Sequence, residues 1–569
     1  MTGPYGHEPG DGSARISADA APESRPRSRP RDGSGGRHDP DRLERRLRAR
    51  AAGFVALMLA GVLIAGAVVR AAPPRAAGAD RAGQLPSVSS TSHSSVEWAC
   101  PGPLPAGASP DRSEILVVNP GRGPARVLVD VAAVGAARAP AASGEPLRGW
   151  TARLELAPLS ERVVALARSG PAQNDAVSVL STAGAVAVFE SVLRTGTQEI
   201  GHHSEPLLSI PEQSPCSTGA ATRSYLASGS TEDESDVIVS LFDPTATQAV
   251  AAIRVSTESG SVTPPALQGL IVKPYSLQVF DIARSVVQQA SMAITVTTTA
   301  GSVAAGASET IASDATATTS ASGSALVIGI GAPQDRWVLT PGLGMARRTV
   351  GVRVYDPGPH AAIVTISSPV KGRSPIEITQ VVPAGEVRAI DLPAPPGSVK
   401  KEPNAPARGH GASPVAEGPI VVATARGVGV LVSRIAALTV GSHAETVAFA
   451  AVSSVPANNW VVPAAATGTS ASGGIVISNP GLETVHVEVA GFSPGGGAAS
   501  TTQFAKLTIP PMASATAPLF LPASEASFAG VLVTASGQVV AEQDFFALGT
   551  PHDPVPVTPV PVEGIPVIG

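Results

Sequence analysis

Ile115-Leu-Val-Val-Asn119-Pro120-Gly121 is an apolar run that ends on Asn-Pro, and the chain repeats it three more times. The later copies read Val237-Ile-Val-Ser-Leu-Phe-Asp243-Pro244, Val350-Gly-Val-Arg-Val-Tyr-Asp356-Pro357-Gly358 and Gly474-Ile-Val-Ile-Ser-Asn479-Pro480-Gly481. A residue before proline is driven to extended geometry, and Asn or Asp there turns the chain by bonding its own backbone. The phrase therefore predicts a β-strand closed by a tight turn, four times over. Repetition on this scale fixes architecture before any local propensity does.

Each copy carries the same neighbours in the same order. Upstream an aromatic opens a strand: Trp98, Tyr225, Trp337 and Trp460. Downstream an apolar run closes on proline, at Pro158, Pro274, Pro383 and Pro511, and a second apolar run follows. Proline cannot donate to a sheet ladder, so it falls at strand ends. Last comes Thr182-Ala-Gly184, Thr299-Ala-Gly301, Thr424-Ala-Arg-Gly427 or Thr534-Ala-Ser-Gly537, where glycine supplies the positive φ of a tight hairpin. The runs between, such as Val127-Leu-Val-Asp-Val and Val485-His-Val-Glu-Val, alternate as half-buried strands do.

Composition agrees. The 569 residues include 58 Gly and 54 Pro with only 15% charged and 3% aromatic side chains, which suits short strands and many turns rather than a helical enzyme. The expected fold is all-β: a tandem array of four immunoglobulin-like β-sandwich modules at 97–223, 224–335, 336–458 and 459–550. A closed, propeller-like arrangement of the four repeats is the alternative. A staple confined to the first module favours the open array.

Residues 1–41 hold few large apolar side chains and are expected to form a disordered cytoplasmic tail. A basic flank, 42–50, leads into 51–69, nineteen residues without a charge. That is just enough for one transmembrane helix. Five arginines in the flank, against Arg70, Arg75 and Arg81 spread out beyond the span, place the N-terminus in the cytoplasm and the C-terminal mass outside the cell. An uncleaved signal anchor is favoured over a cleaved signal peptide by the long leader. Residues 70–96 read as a linker, and 551–569 as an extended Pro-rich tail. A polar insertion interrupts the third module at 393–418. The only two cysteines, Cys100 and Cys216, bracket the first module on the exported side, where a disulfide between them would persist.

No catalytic, cofactor-binding or metal-binding constellation emerges. Metalloprotease, Walker and Cys-x-x-Cys spacings are missing from the sequence. Ser368-Pro-Val-Lys371 and Ser398-Val-Lys-Lys401 match Ser-x-x-Lys without its partner motifs. His202-His203-Ser-Glu205 reads as an exposed loop, and Glu232-Asp-Glu-Ser-Asp236 as a solvated turn rather than a calcium loop. Residues 1–50 carry 11 Arg and 8 acidic residues, leaving 29 basic and 37 acidic ones beyond, a balance that gives no support for nucleic-acid binding.

A basic leader, a single anchor and exported repeats with Val-Asn-Pro and Thr-Ala-x-Gly phrases resemble an uncharacterised actinobacterial envelope family, the domain of unknown function 5719. The resemblance covers most of 98–550 and implies a membrane-anchored exported protein, with no catalytic residues to carry over. The expectation is a non-catalytic cell-envelope protein whose modules scaffold or bind cell-wall polysaccharide or another exported protein. An envelope hydrolase or glycan-processing enzyme with an inter-module carboxylate pair is the alternative.

Overall fold

The computed structural model describes residues 87–89, 96–102, 112–133, 150–166, 175–193, 196–200, 203–207, 211–227, 229–232, 235–312, 320–342, 348–370, 374–392, 418–440, 444–451, 456–465, 471–494, 502–519, 528–547 and 562–568. The expected tail (1–41), basic flank (42–50), apolar span (51–69) and nearly all of the 393–418 insertion lie outside these residues. Among the described residues, no helix is long and apolar enough to cross a membrane. Every described residue belongs to one compact unit within Gly78–Gly569.

The architecture is all-β, and one pattern of strand pairing recurs four times. The first group runs through Val96–Cys100, Arg112–Asn119, Ala125–Ala133, Trp150–Leu156, Ser160–Ala165, Asp175–Ala183, Ala187–Leu193 and, later, Pro211–Pro215. Its first, sixth, third and fourth strands form one sheet in that order, and its fifth, second, seventh and eighth form the other. The same two orders hold for the strands between Arg223 and Ile328, for those between Arg336 and Ala451, and for those from Ala457 onward. In the fourth group a single strand, Phe528–Ala547, serves as both sixth and seventh. The second and third groups are further joined where Ser320–Ile328 pairs in parallel with Ala444–Ala451.

Apolar side chains from both sheets of a group meet in one core. In the first, Trp98, Val129, Leu156 and Val179 face Ile115, Val117 and Phe189. Period-two patterning produces this, and strands such as Val485–Gly491 alternate buried and exposed along their first four residues. The strand-opening tryptophans are the keystones: Trp98, Trp337 and Trp460 are at most 1% exposed. Two of them also satisfy the indole N–H, Trp337 on Val430 O at 2.9 Å and Trp460 on Val539 O at 2.8 Å. Each group is thus a two-layer sandwich, but not in immunoglobulin order. An immunoglobulin domain sets its first, second, fifth and fourth strands in one sheet. Here the second and fifth strands have changed sheets with the third and sixth.

The groups do not form an open row. Define the turn end of each as the end carrying the Asn/Asp-Pro, post-proline and Thr-Ala turns. The turn end of the second group (Phe242, Leu277, Ala304) packs on the far end of the first (Ala99, Ala132, Ala176). Tyr355 of the third reaches Ser256 and Thr295 at the far end of the second. The turn at Met512 of the fourth lies against Gly418 of the third. Contrary to the expected open array, the succession then returns to its start. Val461 and Phe492 of the fourth group enter the core of the first, and Ser493–Pro494 pairs in parallel with Ser160–Glu161. A head-to-tail contact that closes on itself satisfies every end without leaving an apolar one uncovered.

Three further readings change. Part of the expected Pro-rich tail is built into sheets: Val562–Glu563 pairs with Phe528–Ala547, and Ile565–Ile568 pairs with Ala457–Ala465. Val88–Ser89, within the expected linker, lies parallel to Val567–Ile568. His203–Leu207 is a strand paired with Gly196–Ile200 rather than a loop, and His202 lies outside the described residues. In each case backbone pairing outweighs a composition that reads as loop.

The disulfide joins Cys100 to Cys216 across 116 residues of sequence. It clamps the first group to the segment entering the second, beside the backbone bridge between Ala99 and Ser217. Closing a loop of that length removes about 4–5 kcal/mol of unfolded-state entropy. A Cys100→Ala/Cys216→Ala variant should therefore lose stability by up to about that amount, read as a lower denaturant midpoint that matches the reduced wild type.

Candidate functional site

The Asn/Asp positions that define the repeat are all 0% exposed. Asn119 Nδ2 donates to Gly123 O and Ala157 O, both at 2.9 Å, and its Oδ1 accepts from Gly121 N at 2.9 Å. Asn479 repeats the arrangement, donating to Glu483 O at 2.7 Å and Pro510 O at 2.9 Å and accepting from Gly481 N at 2.9 Å. One side chain thereby ties its own turn to the proline turn beside it. Asp243 and Asp356 keep the accepting half, from Thr245 N and Gly358 N at 2.8 Å. The oxygen standing where the amide nitrogen would be, Oδ2, is buried without a hydrogen-bond partner in both. Burial is the main cause that pushes both carboxyls up, against the bonds from Thr245 and Gly358.

After the closing prolines the backbone takes positive φ at Leu159, Tyr275 and Met512, each at 52°, and at Gly385 at 74°. Only the third copy uses glycine for a conformation that L side chains resist. These turns belong to the ends that meet the preceding group, so strain and the repeat motif coincide with the junctions.

The junctions also hold several buried charges. Between the second and third groups, Arg353 donates to Gly229 O at 3.1 Å and Ala290 O at 2.9 Å, and lies 3.5 Å from Glu309. Between the third and fourth, Arg434 pairs with Glu542 and donates to Thr340 O at 2.6 Å, while Thr340 Oγ1 donates to Glu542 Oε2 at 2.5 Å. Between the fourth and first, Glu161 accepts from Gly530 N. The Tyr225 and Tyr355 rings, 6.5 Å apart, line the second–third junction. Buried pairs of this kind contribute little net stability but make loss of one partner expensive, which favours one arrangement over its competitors.

Glu190 lies in the first group with its carboxylate within 4.8 Å of the sulfurs of Cys100 and Cys216. Three such groups suit a thiophilic metal, but the sulfurs are bonded to one another, so no thiolate is offered. Burial raises the Glu161 and Glu190 carboxyls to about 8, opposed by the Gly530 and Gly102 amides respectively. A raised carboxyl is what an acid catalyst needs. Both side chains are closed to a substrate, with residue exposures of 3% and 5%.

Other motifs are not brought together. Ser368 is buried in Ala362–Ser368, while Lys371, Ser398 and Lys401 lie outside the described residues. Of the acidic run, Asp236 opens a strand and is pushed up mainly by burial, with Asp281 adding to the rise. Asp233 and Glu234 lie outside. A shallow recess lined by Ser217, Thr218, Ser224, Val303 and Gly329 sits beside the first–second junction. The sequence reading missed Glu161, Arg353, Arg434 and Glu542. A charged residue inside an apolar strand run was the available signal.

Asp243→Asn and Asp356→Asn should each stabilise the fold at neutral pH by about 1 kcal/mol, by restoring the donor. Thermal melts at pH 7 check this, and the gain should vanish in acid, where the aspartates are themselves neutral. Glu161 and Glu190 act in the same direction. Their folded pKa lies above the unfolded value of about 4.3, so their contribution is intact below that pH. It is lost as pH rises through about 8. The melting temperature of a Glu161→Gln/Glu190→Gln variant should accordingly fall less between pH 5 and pH 9 than that of the wild type.

Comparison with curated proteins found no match, and comparison with solved structures found none either. Residues 214–400 match the model of a Family of unknown function (DUF5719), a stretch that runs from just before Cys216 through the fifth strand of the third group.

Proposed function

We propose that the chain is a non-catalytic, membrane-anchored protein of an actinobacterial cell envelope, its strand groups acting as exported modules that scaffold or bind cell-wall polysaccharide or another exported protein. One observation carries this reading: four of the buried charged side chains are used between groups, as ties, and not in an open cleft. Arg353, Arg434, Glu161 and Glu542 each meet a backbone or side-chain partner from a neighbouring group. Chemistry invested in holding modules together suits a protein whose task is to present a fixed surface. The uncleaved anchor at 51–69 and the external location of the modules rest on the charge asymmetry of the sequence.

The competing reading, a glycan-processing enzyme, would need two carboxyls facing a shared opening. Glu161 and Glu190 have suitable acidity but are enclosed.

The test is co-sedimentation of the purified protein with insoluble cell-wall material, with soluble polysaccharide fractions as competitors. Saturable retention that one fraction blocks is the expected result. Failure to sediment at any salt concentration would overturn polysaccharide binding. Release of soluble sugar during the incubation would overturn the non-catalytic assignment.

A further inference from the structure

Three of the four junctions join groups that follow one another in the chain. The fourth joins its ends: Glu161 and Gly530 are 369 positions apart. On one side stand Val118 and Glu161 of the first group. On the other stand Val461, Phe492, Gly530, Ile565 and Val567 of the fourth, with the backbone of Ser493–Pro494. A Cβ at Gly530 would meet Glu161 Oε2 at 2.9 Å, Phe492 at 3.0 Å and Val118 at 3.1 Å, so the fit depends on backbone approaching without a side chain. Among the described residues the hydrogen bonds are few: two residues of parallel ladder and the Gly530 amide on the Glu161 carboxyl. Among the described residues, no charge pair reinforces this contact, unlike the third–fourth junction.

These two surfaces are complementary whether or not they belong to one molecule. We propose that they form an exchangeable junction, through which a second copy of this chain takes the place of the chain's own fourth group on the turn end of its first. The occupant is a second copy because the matching surface is already present in every copy. Head-to-tail contacts of this general kind, each with its own ties, are made three more times within the chain. A contact of this type closes into a cycle or continues from molecule to molecule, according to whether the rotation closes. Within one chain closure prevails, because tethering gives an effective concentration in the millimolar range. Opening the junction exposes Phe492 and Val118 and leaves a donor surface and an acceptor surface on each molecule.

Complementation between two variants tests this on the full chain held in detergent. Gly530→Leu spoils the fourth-group surface and leaves the first-group surface intact. Glu161→Arg does the reverse. Each alone should be a monomer of 56.9 kDa by native mass spectrometry, because it lacks one half of the junction. Mixed at concentrations on the order of 0.1–1 mM, they should form a one-to-one dimer of twice that mass through the two intact surfaces. Near-UV circular dichroism of the buried tryptophans reports folding, and Gly530→Ala with Glu161→Leu is the milder pair if the first loses that signal. A mixture of folded variants that stays monomeric overturns the proposal. So does either variant forming dimers by itself, which would place the contact elsewhere.

Discussion

Everything in the described unit depends on one constraint: the turn ends of the first three strand groups are too apolar to be left in water, and each turn end is covered by the group before it. Phe242, Tyr355 and Val118 each directly precede a turn-forming Asp or Asn, and each is at most 2% exposed. An isolated two-layer sandwich would leave them in solvent. Stacking end on end buries them, but an open row would still leave one turn end and one far end bare. Closing the succession between the fourth group and the first removes both. Burial of apolar surface, rather than any hydrogen bond, is the force that selects closure.

Once the junctions are dry, polar groups caught in them must find partners. The four copies solve this differently. The second–third junction uses Arg353 on carbonyl oxygens, the third–fourth uses Arg434 with Glu542 and Thr340, and the first–second rests on apolar packing of Phe242, Leu277 and Ala304 against Ala99, Ala132 and Ala176. The fourth–first uses a carboxyl that burial keeps largely neutral at pH 7. Because the ties differ, each turn end fits one partner, and shuffling the order would strand a buried charge. The same economy explains the paired Asn and Asp copies of the repeat. Asn119 and Asn479 supply a donor to the neighbouring turn, whereas Asp243 and Asp356 occupy the same place and must give up their charge to do so.

Much of the fold was legible from residues alone, because the signals were local. Asn-Pro, proline after an apolar run, Thr-Ala-Gly and period-two alternation each act within a few residues, so they located the strands and turns of all four groups. The tryptophans at 98, 337 and 460 were recognised as strand openers, and their place in the cores followed from size and hydrophobicity. The pairing of Cys100 with Cys216 was legible because there was no other cysteine to choose. What failed was also instructive. Proline spacing made 551–569 read as a loose tail, yet Val562–Glu563 pairs with Phe528–Ala547, and Ile565–Ile568 lies between Val88–Ser89 and Ala457–Ala465.

The sequence by itself determined the secondary structure class, the fourfold repetition and the positions of the turns, since these follow from backbone sterics and short-range hydrogen bonding. Only the tertiary structure decided which strands share a sheet, that the second and fifth strands exchange places with the third and sixth relative to an immunoglobulin domain, and that the fourth group closes on the first. It also gave Glu161, Arg353, Arg434 and Glu542 their roles. Those outcomes depend on which apolar surfaces meet across more than a hundred residues of chain. Burial is non-directional and leaves no local mark on the residues it brings together.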